Sequence, residues 1–283
     1  MLYIVIDLEW NTGYNRRTGG FINEIIEIGA VMFDDQVRVV DQFTQVVRPT
    51  ITRKLTGRVK NLTHMDNETV RQGLPLAKAL EAFEAWLGDG EYIFMSWSLT
   101  DLHVLMENLK QVLGTDETPR FIHRYMDAQR YCMEYLDAPK SQQISLQKAA
   151  ELFEVDTEQF NAHRGLDDSL VTMACLAKCF DPEKIRKASF VCNEAYFTRL
   201  RFKSVYITDV KDPRIDRGKM VCKCAGCGGR MTKLSPWQVV NKSLRATFYC
   251  RDCRRYATLH CTVKTDPDGV KTRVRRTEQK KER

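Results

Sequence analysis

At 283 residues the chain exceeds one average domain, and its 43% apolar content is ordinary for a globular protein. No stretch approaches the roughly 18 continuous apolar residues of a membrane span, and the chain opens directly on a strand pattern rather than a signal peptide, so a membrane anchor is not expected and a cytoplasmic location is the default. Charge is divided unevenly: from Tyr196 onward 23 Lys or Arg stand against 8 Asp or Glu, a balance of +15, which leaves −8 for residues 1–195 of a chain whose total is +7.

The first predicted element is a buried strand, Leu2 to Ile6, ending in Asp7-x-Glu9. Alternation along a strand points both carboxylates to one face. Two adjacent carboxylates are costly to leave ionised unless a cation lies between them, and a hard divalent ion such as Mg²⁺ or Mn²⁺ suits oxygen donors. A solvated strand end is the plainer reading of the same pair. Residues 73–87 pattern as an amphipathic helix. Tyr92 to Trp97 reads as a second buried strand, after which Ser98 or Thr100 can cap a helix carrying Leu102, Leu105, Met106 and Leu109 at helical spacing. Asp101 falls at that strand-to-helix junction, where it could equally complement the helix dipole. Gly114 to Pro119 reads as a loop and residues 146–153 as a short helix.

Further on, His163 precedes Asp168 by five residues, ahead of a packed helix face made by Leu170, Val171, Ala174, Cys175 and Ala177. The spacing leaves the histidine in a loop and Asp168 in the first helical turn, with Asp167 as the competing carboxylate. A helical linker is expected from near Asp181, with ITDVKDPRIDRG as a loop leading to the basic part.

Ten cysteines in a chain of this class should be thiols or metal ligands rather than a disulfide framework. Cys175 and Cys179 have helical spacing and apolar neighbours, which fits packing. Cys224-x-x-Cys227 and Cys250-x-x-Cys253, 22 residues apart, have the spacing of a four-thiolate structural zinc site. Gly226, Gly228 and Gly229 permit a tight knuckle, and ATFYC and RYATLHCTV read as flanking strands. Cys222 could replace Cys224, Cys261 suits a buried thiol, and a redox Cys-x-x-Cys is the rival for either pair. The final KTRVRRTEQKKER reads as a frayed basic tail. Basic residues near aromatics, with Arg251, Arg254 and Arg255 beside Phe248, Tyr249, Tyr256 and Trp237, suit single-stranded nucleic acid; a solvated face over buried aromatics explains them as well.

These motifs, in this order, resemble the DEDDh 3′-5′ exonucleases, the DnaQ-like group with a ribonuclease H-like fold, over about residues 1–180. The likeness lies in DLEW, in EIIEIGAVMF from Glu24 to Phe33, in VVRP from Val46 to Pro49, in SWSLTDLHVL around Asp101, and in HRGLDDS. The last is closest to the KapD-like subgroup, which includes eukaryotic exonucleases that trim histone messenger and small RNAs. LTHM, at Leu62 to Met65, stands where that family usually has Leu-Thr-Gly-Ile, so His64 replaces a glycine near the expected nucleotide pocket. By resemblance, Asp7, Glu9, Asp101 and Asp168 hold two Mg²⁺ or Mn²⁺ ions, and His163 is the general base, an imidazole whose ordinary pKa near 6.5 suits proton removal at neutral pH.

The expectation is therefore an α/β chain. A ribonuclease H-like mixed sheet flanked by helices spans 1–180, followed by a linker over 181–215, a small β-rich zinc ribbon over 216–265 and a basic tail over 266–283. The implied activity is metal-dependent 3′-5′ hydrolysis of single-stranded nucleic acid, RNA in preference to DNA, releasing nucleoside 5′-monophosphates. Candidate nucleic-acid contacts are Trp10, Thr63, His64 and Met65 in the first part and Arg251, Arg254 and Arg255 in the second. One Zn²⁺ is expected on the cysteines, with no obligate protein partner. Two other readings stand beside this one: a DNA 3′-5′ exonuclease in proofreading or repair, and a non-catalytic zinc-ribbon regulator.

Overall fold

The computed structural model describes residues 1–136 and 143–278, which form two units, Met1–Arg201 and Phe202–Arg283 as the chain divides. The first unit runs β1 (Leu2–Asn15), β2 (Gly20–Phe33), β3 (Val39–Val46), α1 (Gly57–Thr63), α2 (Asn67–Gln72), α3 (Leu76–Leu87), β4 (Tyr92–Ser96) and α4 (Thr100–Gln111). It continues with β5 (Arg124–Asp127), α5 (Ala128–Tyr135), α6 (Leu146–Leu152), α7 (Gly165–Ala177), α8 (Pro182–Ala188), β6 (Phe190–Val191) and α9 (Glu194–Arg201). Its sheet has the order β3-β2-β1-β4-β5-β6, with β1 parallel to β4, β4 parallel to β5 and the remaining pairs antiparallel.

Strand alternation divides the apolar residues of β1 between two cores. Ile4, Ile6 and Leu8 pack with Leu80 and Phe83 of α3 and Leu105 and Leu109 of α4. Tyr3 and Val5 pack on the other side with Cys132 of α5, Ala149 of α6 and Val171, Cys175 and Leu176 of α7. A mixed sheet with helices on both faces is the ribonuclease H-like arrangement expected for the first part. No helix among the described residues is long and apolar enough to cross a membrane.

The expected linker is largely built into this unit. Asp181 caps α8 by accepting from the amides of Glu183 and Lys184. Ile185 and Phe197 are buried in the two cores, and β6 pairs with β5 through Arg124↔Val191 and Tyr125↔Phe190. The helix expected there as a linker instead has a core to join, and the division falls after Arg201.

The second unit contains β7 (Thr232–Lys233), β8 (Gln238–Val240), β9 (Ser243–Cys250), β10 (Arg255–Asp266) and β11 (Gly269–Glu278). They form an antiparallel sheet ordered β11-β10-β9-β7, with β8 also paired to β9. Leu244, Ala246 and Phe248 of β9 alternate into one core with Ala257, Leu259, Cys261 and Val263 of β10. Asn241 and Lys242, both at positive φ, make the tight β8–β9 turn. Ile207 and Ile215 join this core, so the unit begins before the boundary expected at residue 216.

The frayed tail is also corrected. Residues 269–278 form β11, registered along β10 from Asp266↔Gly269 to Ala257↔Glu278. Backbone pairing holds this segment, and its charged side chains protect an edge strand from further pairing. The last part of that expected tail, residues 279–283, lies outside the described residues.

Candidate active site and cysteine cluster

The acidic site is assembled where β1, α4 and α7 meet. Asp7 lies on the same strand face as Tyr3 and Val5, the face that packs on α7. Directly across the ladder, Asp7 is paired with Gly29 and Glu9 with Glu27, and a register shift follows between Glu9 and Trp10. The strand does not end at this pair as expected but runs on to Asn15, and the bulge re-aims it just beyond the carboxylates.

Gly29 sets how closely α7 approaches. A Cβ built there would lie 1.9 Å from the Gly165 carbonyl carbon and 2.0 Å from the Leu166 nitrogen. The two glycines therefore let the start of α7 rest against the backbone beside Asp7. Glu27, 1% exposed, receives the Arg164 guanidinium at 2.6 Å and the Gly165 amide at 3.0 Å. This half-buried pair fastens the loop that carries His163 to β2. His163 itself has φ 64, and its amide donates to Asp168 Oδ2 at 3.1 Å.

The sequence-predicted residues converge. Donor atoms of Glu9, His163 and Asp168 all lie within 4.8 Å of one another. Asp101, 6% exposed in the first turn of α4, accepts from the Leu8 amide at 3.1 Å and so reaches across to β1. Its dipole position is real, but the carboxylate is also joined to the strand between Asp7 and Glu9. Asp167 is occupied elsewhere, accepting from the backbone and side-chain nitrogens of Asn161 at 2.9 and 3.0 Å. Asp168 is the member of the pair that faces the cluster.

All four carboxyls are held above their ordinary range. Removal from bulk water pushes Asp7 well up, reinforced by Asp101, Glu9, Asp168 and Glu27. Its moderate surface exposure marks it as lining a crevice rather than standing in open solvent. Glu9 is pushed up to about 8 by burial, then by Asp168, Glu27 and Asp101, with Arg164 opposing. Burial raises Asp101 to about 7 against the bond from Leu8, and raises Asp168 against the bond from His163. Crowded oxygen donors that resist ionisation are the chemistry a hard divalent cation relieves, so this set fits Mg²⁺ or Mn²⁺.

Sequence reasoning missed Glu27, Arg164 and the Gly29–Gly165 contact. The signal for Glu27 was a carboxylate inside the apolar run EIIEIGAVMF, where burial demands a partner. Glu24 in the same run accepts from the amides of Thr50, Ile51 and Thr52 and fixes the loop after β3. Of the four candidate contacts in this unit, Thr63 and Met65 are 2% and 3% exposed and belong to the interior; Thr63 Oγ1 accepts from the Met65 amide. His64 is exposed in a left-handed conformation that closes α1, and Trp10 is half-buried. Burial thus corrects Thr63 and Met65 as side-chain contacts.

In the second unit Cys224, Cys227, Cys250 and Cys253 form one cluster, their sulfurs all within 4.8 Å of one another. Cys227 and Cys250 Sγ are 3.6 Å apart, close to the sulfur–sulfur edge of about 3.8 Å that a tetrahedral Zn–S site implies. The Cys224 amide donates to the Gly229 carbonyl and the Gly228 amide to the Cys224 carbonyl, folding the knuckle, with Gly228 at φ 72. Amides of Cys227 and Gly226 push the Cys224 thiol down to about 6. Neighbouring sulfurs push Cys253 up to about 12, so a full set of thiolates needs a cation. Cys222 lies against the Met231 sulfur at 3.5 Å and Cys261 is fully buried, so both serve the core. Arg251, Arg254 and Arg255 are exposed around the second knuckle.

Among known proteins, a segment of DNA polymerase III PolC-type from Staphylococcus saprophyticus is 29% identical over 91 residues, covering 32% of this chain and 6% of that polymerase. The fold is shared with a 3′-exonuclease solved in the 3′-end specific recognition of a histone mRNA stem-loop, at 19% identity and TM-score 0.56 over 67% of this chain and 84% of that one. It is shared too with the nuclease domain of 3′hExo, a DEDDh family member bound to rAMP, at 19% identity and TM-score 0.54 over 67% and 96%. Cell-death related nuclease 4 matches at 18% identity and TM-score 0.53 over 71% and 72%. The model of the RNase_T exonuclease family matches residues 4–176, a span that contains Asp7, Glu9, Asp101, His163 and Asp168, and the chain belongs to that family of nucleases.

Proposed function

We propose that this protein is a divalent-metal-dependent 3′-5′ exonuclease that removes nucleoside 5′-monophosphates from a single strand, with RNA as the preferred substrate. The observation that carries this reading is the meeting of Glu9, His163 and Asp168 within 4.8 Å, with Asp7 and Asp101 tied to the same crevice. Asp7, Glu9, Asp101 and Asp168 would hold two Mg²⁺ or Mn²⁺ ions. When bound, such ions neutralise the scissile phosphate and stabilise the attacking and leaving oxygens.

The chain's own groups do the rest. A ring nitrogen of His163 takes the proton of the attacking water as its oxygen bonds to phosphorus. The bond from phosphorus to the 3′ oxygen breaks, giving a nucleoside 5′-monophosphate and a shortened strand that ends, once protonated, in a 3′ hydroxyl. Arg164, fixed to Glu27, and the Asp168 carboxylate, bonded to the His163 amide, hold the imidazole loop for that transfer. The crevice limits water around the carboxylates and keeps their charge dependent on the cation.

The RNA preference rests on the KapD-like wording of HRGLDDS; the short PolC-type match makes DNA the alternative to test. One Zn²⁺ on Cys224, Cys227, Cys250 and Cys253 would order the basic unit as a handle for the strand, in a cytoplasmic setting. Matched RNA and DNA strands carrying a label at the 3′ or the 5′ end test the reading. Labelled mononucleotide should appear at once from the 3′-labelled RNA in Mg²⁺ and late from the 5′-labelled one. Early release from the 5′ label would overturn the polarity, and faster loss of DNA would overturn the substrate choice.

A further inference from the structure

The basic unit carries a cleft of about 610 Å³ bordered by the 3-10 turn Arg217–Lys219, the end of the first cysteine knuckle and β7. Arg217, Arg230 and Lys233 stand on its walls, and no carboxylate lines it. None of these three cations makes an ion pair among the described residues, whereas Lys219 next door pairs with Asp216. Three like charges around one concavity repel each other and favour a ligand of opposite sign. Apart from Thr232, the remaining lining side chains are apolar, with Met220 and Phe248 buried beneath and the half-buried Trp237 presenting its indole. Phe248 meets that indole edge to face, 6.0 Å between centroids, and holds the ring in place.

Cations without acids, beside an aromatic plane, match a nucleotide unit: phosphate on one side and a flat base on the other. The volume falls within the range of sites that enclose small ligands. We infer that this cleft seats one nucleotide of a single strand, with its base on Trp237 and the flanking phosphates on Arg217, Arg230 and Lys233. The inference rests on the proposed reading that the protein's ligand is single-stranded nucleic acid. It adds the particular site in the second unit that takes hold of it. Arg230 also bridges to Lys223 inside the knuckle, so the cysteine cluster shapes one wall.

The test is fluorescence anisotropy of a labelled oligo(U) of about twelve nucleotides, bound by the full-length protein without added divalent metal. Arg217→Gln with Arg230→Gln should raise Kd about 10-fold and flatten the slope of log affinity against log salt by about 1.4, the share of two single-strand phosphate contacts. Trp237→Ala should raise Kd about 10-fold with the slope unchanged. Trp237→Phe, which keeps an aromatic face and packing on Phe248, should recover most of the affinity and remove the share of strand-induced indole quenching that Trp237 is expected to give in the wild type. Arg273→Gln with Arg275→Gln removes the same charge from β11 outside the cleft and should leave Kd within about twofold.

Wild-type affinity in the cleft variants would overturn the inference and leave the cleft to another anion, such as an acidic protein segment. Equal losses from the β11 pair would also overturn it, in favour of diffuse attraction. Failure of the exonuclease reading is seen separately, as absence of mononucleotide release by the wild type in Mg²⁺, and leaves these binding comparisons intact.

Discussion

Residues 1–201 surround four carboxylates with a sheet that has a packed core on each face, whereas residues 202–278 gather four thiols at the end of a sheet with a core on one face only. The first unit can carry crowded acids because two cores supply its stability. Its donors pull against the fold. The second unit has less to bury, and its donors bind together segments more than 20 residues apart in sequence. A metal there would be part of the fold, while a metal in the first unit would be part of the reaction.

The largest effect expected from this contrast is on the thiols. Chelation, or Cys250→Ser, should unfold the basic unit, since a structural zinc site contributes on the order of 10 kcal/mol to folding. Calorimetry should then lose one transition and keep the transition of the first unit. Loss of both transitions would break the distinction between a metal for folding and a metal for chemistry.

On the acidic side, His163→Ala should lower turnover about a thousandfold, within the usual reach of general base catalysis, while the Kd for a strand stays near the wild-type value. Single-turnover kinetics with a separate binding assay would read the two effects apart.

Gly29→Ala tests the close approach that builds the site. The added methyl would meet backbone atoms of Gly165 and Leu166, so α7 must move, at a cost of about 3 kcal/mol. Thermal unfolding should show the loss, and activity should fall with it. A stable, active variant would mean that α7 is positioned by something other than this contact.

The smallest effect is a pH dependence. The carboxyls of Asp7, Glu9, Asp101 and Asp168 are raised above their unfolded values, so their protonated cluster contributes most below about pH 4. That contribution is lost as pH rises through about 7 for Asp101 and about 8 for Glu9. Without divalent ions the first unit should melt several degrees lower at pH 8 than at pH 5. Added Mg²⁺ or Mn²⁺ should restore it at pH 8 and do little at pH 5. A melting temperature indifferent to both pH and metal would contradict the charge crowding.

Part of this was legible in the chain because apolar runs mark buried strands. Leu2 to Ile6 announced a buried strand carrying Asp7 and Glu9 on one face, although β1 runs on to Asn15 and the carboxylates lie within it rather than at its close; Tyr92 to Leu109 announced a strand turning into a helix with Asp101 at the junction. The Cys-x-x-Cys pairs announced the cluster, although only packing separated Cys224 from Cys222. What stayed hidden depends on approach between distant segments. Nothing local distinguishes Gly29 from a loosening glycine in a strand, or shows that Glu27 meets Arg164 across 137 positions. The ends of the units were misplaced for a related reason. A short strand such as β6 and a charged one such as β11 are ordered by the ladder they join, and a ladder partner leaves no mark in the segment itself.

The most direct test of the central claim follows single-turnover cleavage of a 3′-labelled RNA at saturating Mg²⁺ by the wild type, Asp7→Asn and His163→Ala, with the products identified. The wild type should release a nucleoside 5′-monophosphate and leave a 3′ hydroxyl, and both variants should be slowed by at least about a hundredfold. Wild-type rates in either variant, or a shortened strand ending in a 3′ phosphate, would contradict it.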